Sequence, residues 1–320
     1  MIVSVILSTY NHPKWLQKSL AGYAAQTRQP DQILIADDGS GTETEKVIRE
    51  FQNSSGIPLI HVWHPDNGFR KCTILNRAIE NADGNYLIFS DGDCIPREDF
   101  VATHCRLARP GRFLSGGMLR LQKSISQTIC ESSINTGKPF SPNWLLKNGA
   151  KIKRQMKLLS LFGRAAELVD RLTSTRPTFN GHNASAWKRD IMWVNGFDER
   201  MRYGGLDREL GERLENANVS GLQVRHRAVC VHLHHGRPYL DQAALQRNQQ
   251  IRKETAINRA TQTPLGIKQR GHGQDSLVLE TRMRPSEHAA LSEAIHTATN
   301  QTVKTQDKQR INSDNESVEA

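Results

Sequence analysis

Apolar residues fall in short runs separated by stretches of helical spacing. Residues 2–8, 32–36, 58–63 and 86–89 are short, apolar and rich in β-branched residues, which predicts buried strands. Between them the spacing changes. Pro13 suits the first turn of a helix running to about Ala25, with Trp15, Leu16, Leu20, Tyr23 and Ala24 on one face. Helices are also predicted over 43–51 and 68–82, the latter with Ile74, Leu75, Ala78 and Ile79 inward. This βαβαβαβ alternation predicts an α/β fold: a mostly parallel sheet with right-handed crossovers and helices on both faces. The loops after strands one, two and four then share the sheet's carboxyl edge, where open α/β sheets bind ligands. Beyond Asp93 the pattern predicts a helix over 96–107, a strand over 112–118 and a long amphipathic helix over 144–172. A return to the sheet follows over 178–187, then a helix over 206–217 and a strand over 228–232.

Composition divides this order into regions. The 81 residues after Tyr239 contain no Phe, Trp or Tyr. Residues 241–261 read as a helix candidate. From 262 to 320 the Gln/Thr/Asn/Lys/Glu-rich sequence buries too little apolar surface to offset ordering, which predicts a disordered tail or a loosely held helix. The net charge of +10 is uneven: Arg106–Arg171 holds 13 Lys/Arg against 3 acids. Such a patch implies an anionic partner, whether a phosphate-bearing substrate, an acidic membrane surface or nucleic acid. Lysines and arginines interleave with leucines and Phe162 over 144–172, as in a helix lying on an anionic membrane; a lid over an acceptor cleft fits equally. Five scattered cysteines without a Cys-x-x-Cys suggest reduced thiols in a cytoplasm. The first residues lack a basic n-region and read as a strand. No run of 18 apolar residues predicts a spanning helix.

The fourth strand ends in Asp91-Gly92-Asp93. Two carboxylates so close repel unless a cation or donors lie between them, and a divalent metal with oxygen ligands is the simplest resident. Asp and Gly are also ordinary turn residues. No Gly-x-Gly-x-x-Gly follows the first strand, which disfavours a dinucleotide site.

Several motifs now follow one another in order: Ser4–Asn11, Asp37-Asp38-Gly39-Ser40, Gly68-Phe69-Arg70, Asn76-Arg77-Ala78-Ile79 and Phe89-Ser90-Asp91-Gly92-Asp93-Cys94-Ile95-Pro96. Together they resemble glycosyltransferase family 2, with its GT-A fold. The Gly-Phe-Arg and Asp-Gly-Asp-Cys-Ile-Pro details are most like the N-terminal transferase domain of bacterial chondroitin polymerase. Asn180–Ser185, Val194–Glu199 and Tyr203–Leu210 resemble the C-terminal part of galactosyltransferase-like domains. The resemblance implies one GT-A domain over 1–240, made of a nucleotide-binding half (1–109), a basic insertion (110–177) and a catalytic-base and metal-histidine part (178–240).

The resemblance further implies an inverting transferase that moves a hexose or N-acetylhexosamine from a UDP-sugar. The acceptor would be a polysaccharide, glycosaminoglycan-like or lipopolysaccharide-core hydroxyl. Mn²⁺ or Mg²⁺ would act as Lewis acid on the diphosphate. Asp93 would be the metal ligand, and Asp91 would approach the metal or hold the ribose. Ser8, Tyr10 and Asp38 match family positions that hold uracil and ribose, with Arg70 and Asn76 as further contacts. Asp207, opening a helix after Tyr203-Gly204-Gly205, would be the general base. His232 would complete the metal shell, with His235 as the alternative. Many relatives carry Glu-Asp where this chain has Leu206-Asp207, so one acceptor-binding carboxylate is missing; Glu209 is the nearest substitute. The expected setting is cytoplasmic, with peripheral contact at the inner face of the membrane. Two other classes remain: a catalytically silent sugar-nucleotide binding module, and a basic nucleic-acid-binding protein. No nucleic-acid motif accompanies the charge, so no nucleic-acid partner is expected.

Overall fold

A computed structural model describes residues 1–151, 157–236 and 241–269. The N-terminal alternation forms as the spacing predicts: β1 (Val3–Thr9), α1 (Pro13–Ala24), β2 (Gln32–Asp37), α2 (Thr42–Ser55), β3 (Leu59–Trp63), α3 (Lys71–Asn81) and β4 (Tyr86–Asp91). Then come β5 (Cys94–Pro96), α4 (Phe100–Leu107), β6 (Arg112–Ser115), β7 (Gly117–Arg120), α5 (Lys123–Thr128), α6 (Glu131–Asn135), α7 (Pro142–Lys147), α8 (Lys157–Ser160) and α9 (Gly163–Leu172). The chain returns through β8 (Ala184–Trp187), α10 (Lys188–Trp193), α11 (Leu206–Asn216), β9 (Ser220–Gln223), β10 (Val229–His232) and α12 (Gln242–Ile257).

Among the described residues, one sheet has the order β3-β2-β1-β4-β8-β6-β9, and a smaller one the order β5-β10-β7. The pairs β1–β2, β1–β4, β2–β3 and β6–β9 are parallel, while β8 runs antiparallel to both β4 and β6. Strand side chains alternate between faces, and each face has its own core. Ile6, Leu34, Ala36, Leu87 and Phe89 pack with Ile74, Leu75, Ala78 and Ile79 of α3. Val5, Leu7, Ile33, Ile35 and Ile88 pack with Leu16, Leu20 and Tyr23 of α1 and Phe100 of α4. Each such fully buried side chain contributes about 1.5–3 kcal/mol. Both faces covered explains why these strands are apolar throughout and do not alternate with polar residues.

Three expectations change. The strand over 112–118 is two strands in different sheets. The chain switches sheets at Gly116, where a Cβ would come within 2.0 Å of Asn183 Oδ1. The long helix over 144–172 is broken into α7, α8 and α9, with 152–156 outside the described residues. Gly149, at φ 84°, ends α7, and the Ala150 N–H donates back to the Leu145 carbonyl. Leu145, Leu158 and Leu159 point inward against Ile95, Leu119, Val229 and Val231, so the insertion has a core around the small sheet. The 241–261 helix forms as α12, but the packed chain continues past 261. Thr263 and Ile267 are buried, and the Asn195 side chain donates to the Thr263 carbonyl and accepts the Lys268 N–H. A single apolar anchor with backbone hydrogen bonds to a preceding loop leaves no compositional trace. Residues 270–320 of the expected tail lie outside the described residues. No helix among the described residues is long and apolar enough to cross a membrane.

Candidate active site

Parallel register brings the strand ends together. Ser8 of β1 lies opposite Asp91 of β4, and Thr9 opposite Asp37 of β2. At this edge Ser8 Oγ donates to Asp91 Oδ1 at 2.6 Å, and Lys71 Nζ donates to the same oxygen at 2.7 Å. Burial pushes the Asp91 carboxyl up, but the Lys71 charge and the two hydrogen bonds override it and hold Asp91 well below the usual carboxylate range. Burial likewise opposes the Lys71 charge, yet Asp91 and Asp207 raise the ammonium above its ordinary value. With Oδ1 committed to Ser8 and Lys71, Asp91 is built as an oriented acceptor.

Asp38 accepts from the Arg70 backbone N–H at 3.0 Å and lies 2.7 Å from His64 Nε2. Tyr10, half exposed, donates its hydroxyl to Asp66 at 2.7 Å. The Asp38 N–H donates to the Thr9 carbonyl, which sets Asp38 next to the end of β1. Arg70 turns its guanidinium onto the Pro65 carbonyl at 2.6 Å, so it staples the loop after β3. Asn76 departs further from expectation. It is fully buried, donates to the Phe197 carbonyl and Glu199, and accepts the Phe197 N–H. Its amide therefore ties α3 to the 197–199 loop.

Asp207 sits in the first turn of α11, after Gly204 and Gly205 in left-handed conformations (φ 105° and 83°). A Cβ on Gly181 would approach Asp207 Oδ1 to 2.5 Å, so only glycine lets the 180–183 turn lie against the carboxylate. Burial raises the Asp207 carboxyl above its ordinary value; Lys71 opposes this, Asp91 adds to it, and the Gly181 N–H opposes it. Asp207 Oδ1 is buried with no hydrogen-bond partner among the described residues. A carboxylate of raised basicity with a vacant acceptor is chemically a proton acceptor. Glu209 does not replace the missing acceptor-binding carboxylate. It is 1% exposed and forms a buried pair with Arg213 at 2.7 Å, because a position two residues on from Asp207 turns inward on the helix.

Beside Asp91 stands Asp93, faced by both candidate histidines. His232 Nε2 lies 3.6 Å from Asp93 Oδ1 and His235 Nε2 3.0 Å from Oδ2, with the two rings stacked 5.1 Å apart. Asp93, Cys94 and His232 place one ligand atom each within 4.8 Å of one another. Cys94 is fully buried, and burial pushes its thiol well up, which makes it packing beneath the carboxylate. His235 Nδ1 lies 2.6 Å from the Gly236 carbonyl, which only accepts, so Nδ1 carries the hydrogen. Its Nε2 lone pair then faces a carboxylate oxygen, a contact that needs a proton or a metal cation between them. A histidine with its outer N–H on a backbone carbonyl is the usual arrangement of a metal ligand. Asp93, His232 and His235 therefore fit a divalent cation with mixed oxygen and nitrogen ligation, such as Mn²⁺.

Two residues at this edge are given no role by the sequence reading, although His182 lies within the Asn180–Ser185 motif. Lys71 occupies the first turn of a helix, where the dipole disfavours a cation; its presence there is the sequence signal that anions lie opposite. His182 is pushed down to about 4 by burial, near Asp91, His232, Lys71 and Arg120, so it is a neutral imidazole at physiological pH.

The architecture is the GT-A fold. TarS of S. aureus, solved with UDP-GlcNAc, superposes with a TM-score of 0.56 over 88% of this chain and 71% of that one, at 14% identity. A mannosyltransferase from Pyrobaculum calidifontis, solved with GDP-Man and Mn²⁺, gives 0.50 over 81% and 62%, at 19% identity. Residues 4–114 match the model of the family Glycosyl transferase family 2. Chondroitin synthase of Escherichia coli is 27% identical over 229 residues, 66% of this chain and 32% of its own length. The glycosyltransferase YfnE of Bacillus subtilis (strain 168) is 27% identical over 264 residues, 73% of this chain and 65% of its own. The chain thus spans about a third of the first relative and somewhat under two thirds of the second.

Proposed function

We propose that this protein is an inverting, metal-dependent glycosyltransferase. It moves a hexose or N-acetylhexosamine from a UDP-sugar to a hydroxyl of a polysaccharide, glycosaminoglycan-like or lipopolysaccharide-core acceptor. The observation that carries the reading is the pairing of two carboxylate environments at one sheet edge. Asp91 is held ionised by Lys71 and Ser8, while Asp207 is raised by burial and left with an open acceptor oxygen. Asp207 takes the proton of the acceptor hydroxyl as it attacks the anomeric carbon from the side opposite the leaving diphosphate. Asp91 orients the ribose, Ser8 fixes Asp91, and Tyr10 and Asp38 border the base. Lys71 keeps positive charge beside the departing phosphates. Asp93, His232 and His235 would hold Mn²⁺, which supplies Lewis-acid neutralisation of the leaving diphosphate. The expected setting is the cytoplasm, with α9 resting on an anionic membrane. Phe162, Leu168 and Leu172 are exposed there beside Arg171, and binding to anionic liposomes at low salt tests that contact.

The test is a panel of UDP-sugars assayed for Mn²⁺-dependent hydrolysis and transfer, with Asp207→Asn alongside. The expected result is turnover of one donor class, lost about 10²–10⁴-fold in the variant while UDP binding persists. UDP binding without turnover of any donor would favour a silent binding module. Normal turnover by Asp207→Asn would remove Asp207 from its role.

A further inference from the structure

Side chains of an extended segment alternate in direction, so residues three apart point to opposite faces. His232 ends β10 and His235 lies three residues on, yet both rings face Asp93. The strand alternation is therefore broken between them, at Leu233-His234, just beyond the end of β10. The backbone groups there are individually held. The Leu233 N–H donates to the Asp93 carbonyl, and the Leu121 N–H to the His232 carbonyl, both at 2.9 Å. His234, whose own side chain is exposed, is pinned twice. Its N–H donates to Ser126 Oγ at 2.9 Å, and its carbonyl accepts from Trp15 Nε1 at 3.2 Å.

The two pins come from different parts of the chain. Trp15 is on α1, among the helices that cover the large sheet, and Ser126 is on α5, within the insertion. They are also tied to each other: Lys18 Nζ donates to the Ser126 carbonyl at 2.9 Å and lies 4.7 Å over the Trp15 ring. Ser126 is fully buried, and its hydroxyl proton is committed to the Gln122 carbonyl, so its oxygen is free to accept from His234. Core packing does not require either bond, since an indole N–H and a serine hydroxyl add no apolar contact.

We infer that Trp15 and Ser126 are positioning residues for the metal centre: by pinning the carbonyl and the N–H of His234, they hold the backbone path that aims His232 and His235 at Asp93. This rests on the metal-dependent reading above. It also gives the insertion a task in the site besides carrying positive charge.

The test uses the full chain with Trp15→Phe, which keeps the ring and removes the N–H, and Ser126→Ala. Mn²⁺ affinity is measured with saturating UDP from loss of the free-ion electron paramagnetic resonance signal. UDP affinity at saturating Mn²⁺ and thermal melting are recorded in parallel. Each variant is expected to weaken Mn²⁺ binding about tenfold, the size of effect typical for groups that orient ligands. UDP affinity should change less than twofold, and the histidine nitrogen couplings on bound Mn²⁺ should be altered. Trp193→Phe, an exposed indole outside the site, should match the parent. Mn²⁺ affinity within twofold of the parent in Trp15→Phe would overturn the inference, even if Ser126→Ala fails to fold. Failure of the unmutated protein to bind Mn²⁺ would instead bring down the metal-dependent reading on which the inference rests.

Discussion

Asp207 carries a cost that its proposed chemistry explains. A carboxyl whose pKa is higher folded than unfolded binds its proton more tightly in the native state. Its contribution to stability is then greatest below the unfolded pKa and is lost as pH rises through the folded one. Once ionised, the buried, partly unpaired Asp207 therefore destabilises the fold. Asp207→Asn should raise the melting temperature at pH 7 while abolishing transfer, and a lower melting temperature would contradict the burial argument. The same residue sets a pH dependence. A base must be deprotonated, so kcat/KM falls as pH drops through its pKa, which burial has placed above the ordinary range. Lys71 is the main opposing influence. Lys71→Met should move the acidic limb of the pH–rate profile upward, and an unmoved limb would show that Lys71 does not act on the base. The aspartates were legible as motif residues, because strand ends with paired carboxylates are visible in one dimension. Lys71 and His182 were not, since what matters is the acid each meets across the edge.

Elements decided the fate of several polar side chains. Asn76 belongs to a family motif, but on α3 it falls on the face that packs against the 197–199 loop. Asn76→Ala strands a buried N–H and carbonyl at about 1–3 kcal/mol for each unsatisfied group. It should lower the urea midpoint while leaving UDP affinity of the folded protein unchanged; a selective loss of UDP binding would restore it to the nucleotide site. Glu209 is similar, spent on Arg213 inside α11. The stretch 144–172 shows the limit of periodicity. Its apolar residues recur at helical spacing, but Gly149 and the chain around Leu161-Phe162-Gly163 interrupt the helix, and the pieces cover a small sheet. Helical spacing reports which face is apolar and not whether one axis continues.

At the scale of the molecule, the segment 262–269 matters more than its composition suggests. Glu199 donates its N–H to the Leu265 carbonyl, and Ile267 packs close to Gly196, so the segment braces the loop that Asn76 also holds. A chain ending at 261 should melt lower than one ending at 269, and equal melting would mean that the brace is not needed. The alternation of strands and helices, the shared carboxyl edge and the Asp91/Asp93 pair followed from the chain alone, because buried parallel strands are continuous apolar runs and crossovers have one hand. Only the tertiary structure decided that Asp91 is claimed by Lys71 and that Asn76 and Glu209 turn inward. It also decided that His232 and His235 both reach Asp93. Those outcomes depend on which residues distant in sequence meet, and on a backbone path past β10 held by Trp15 and Ser126, neither of which local spacing encodes.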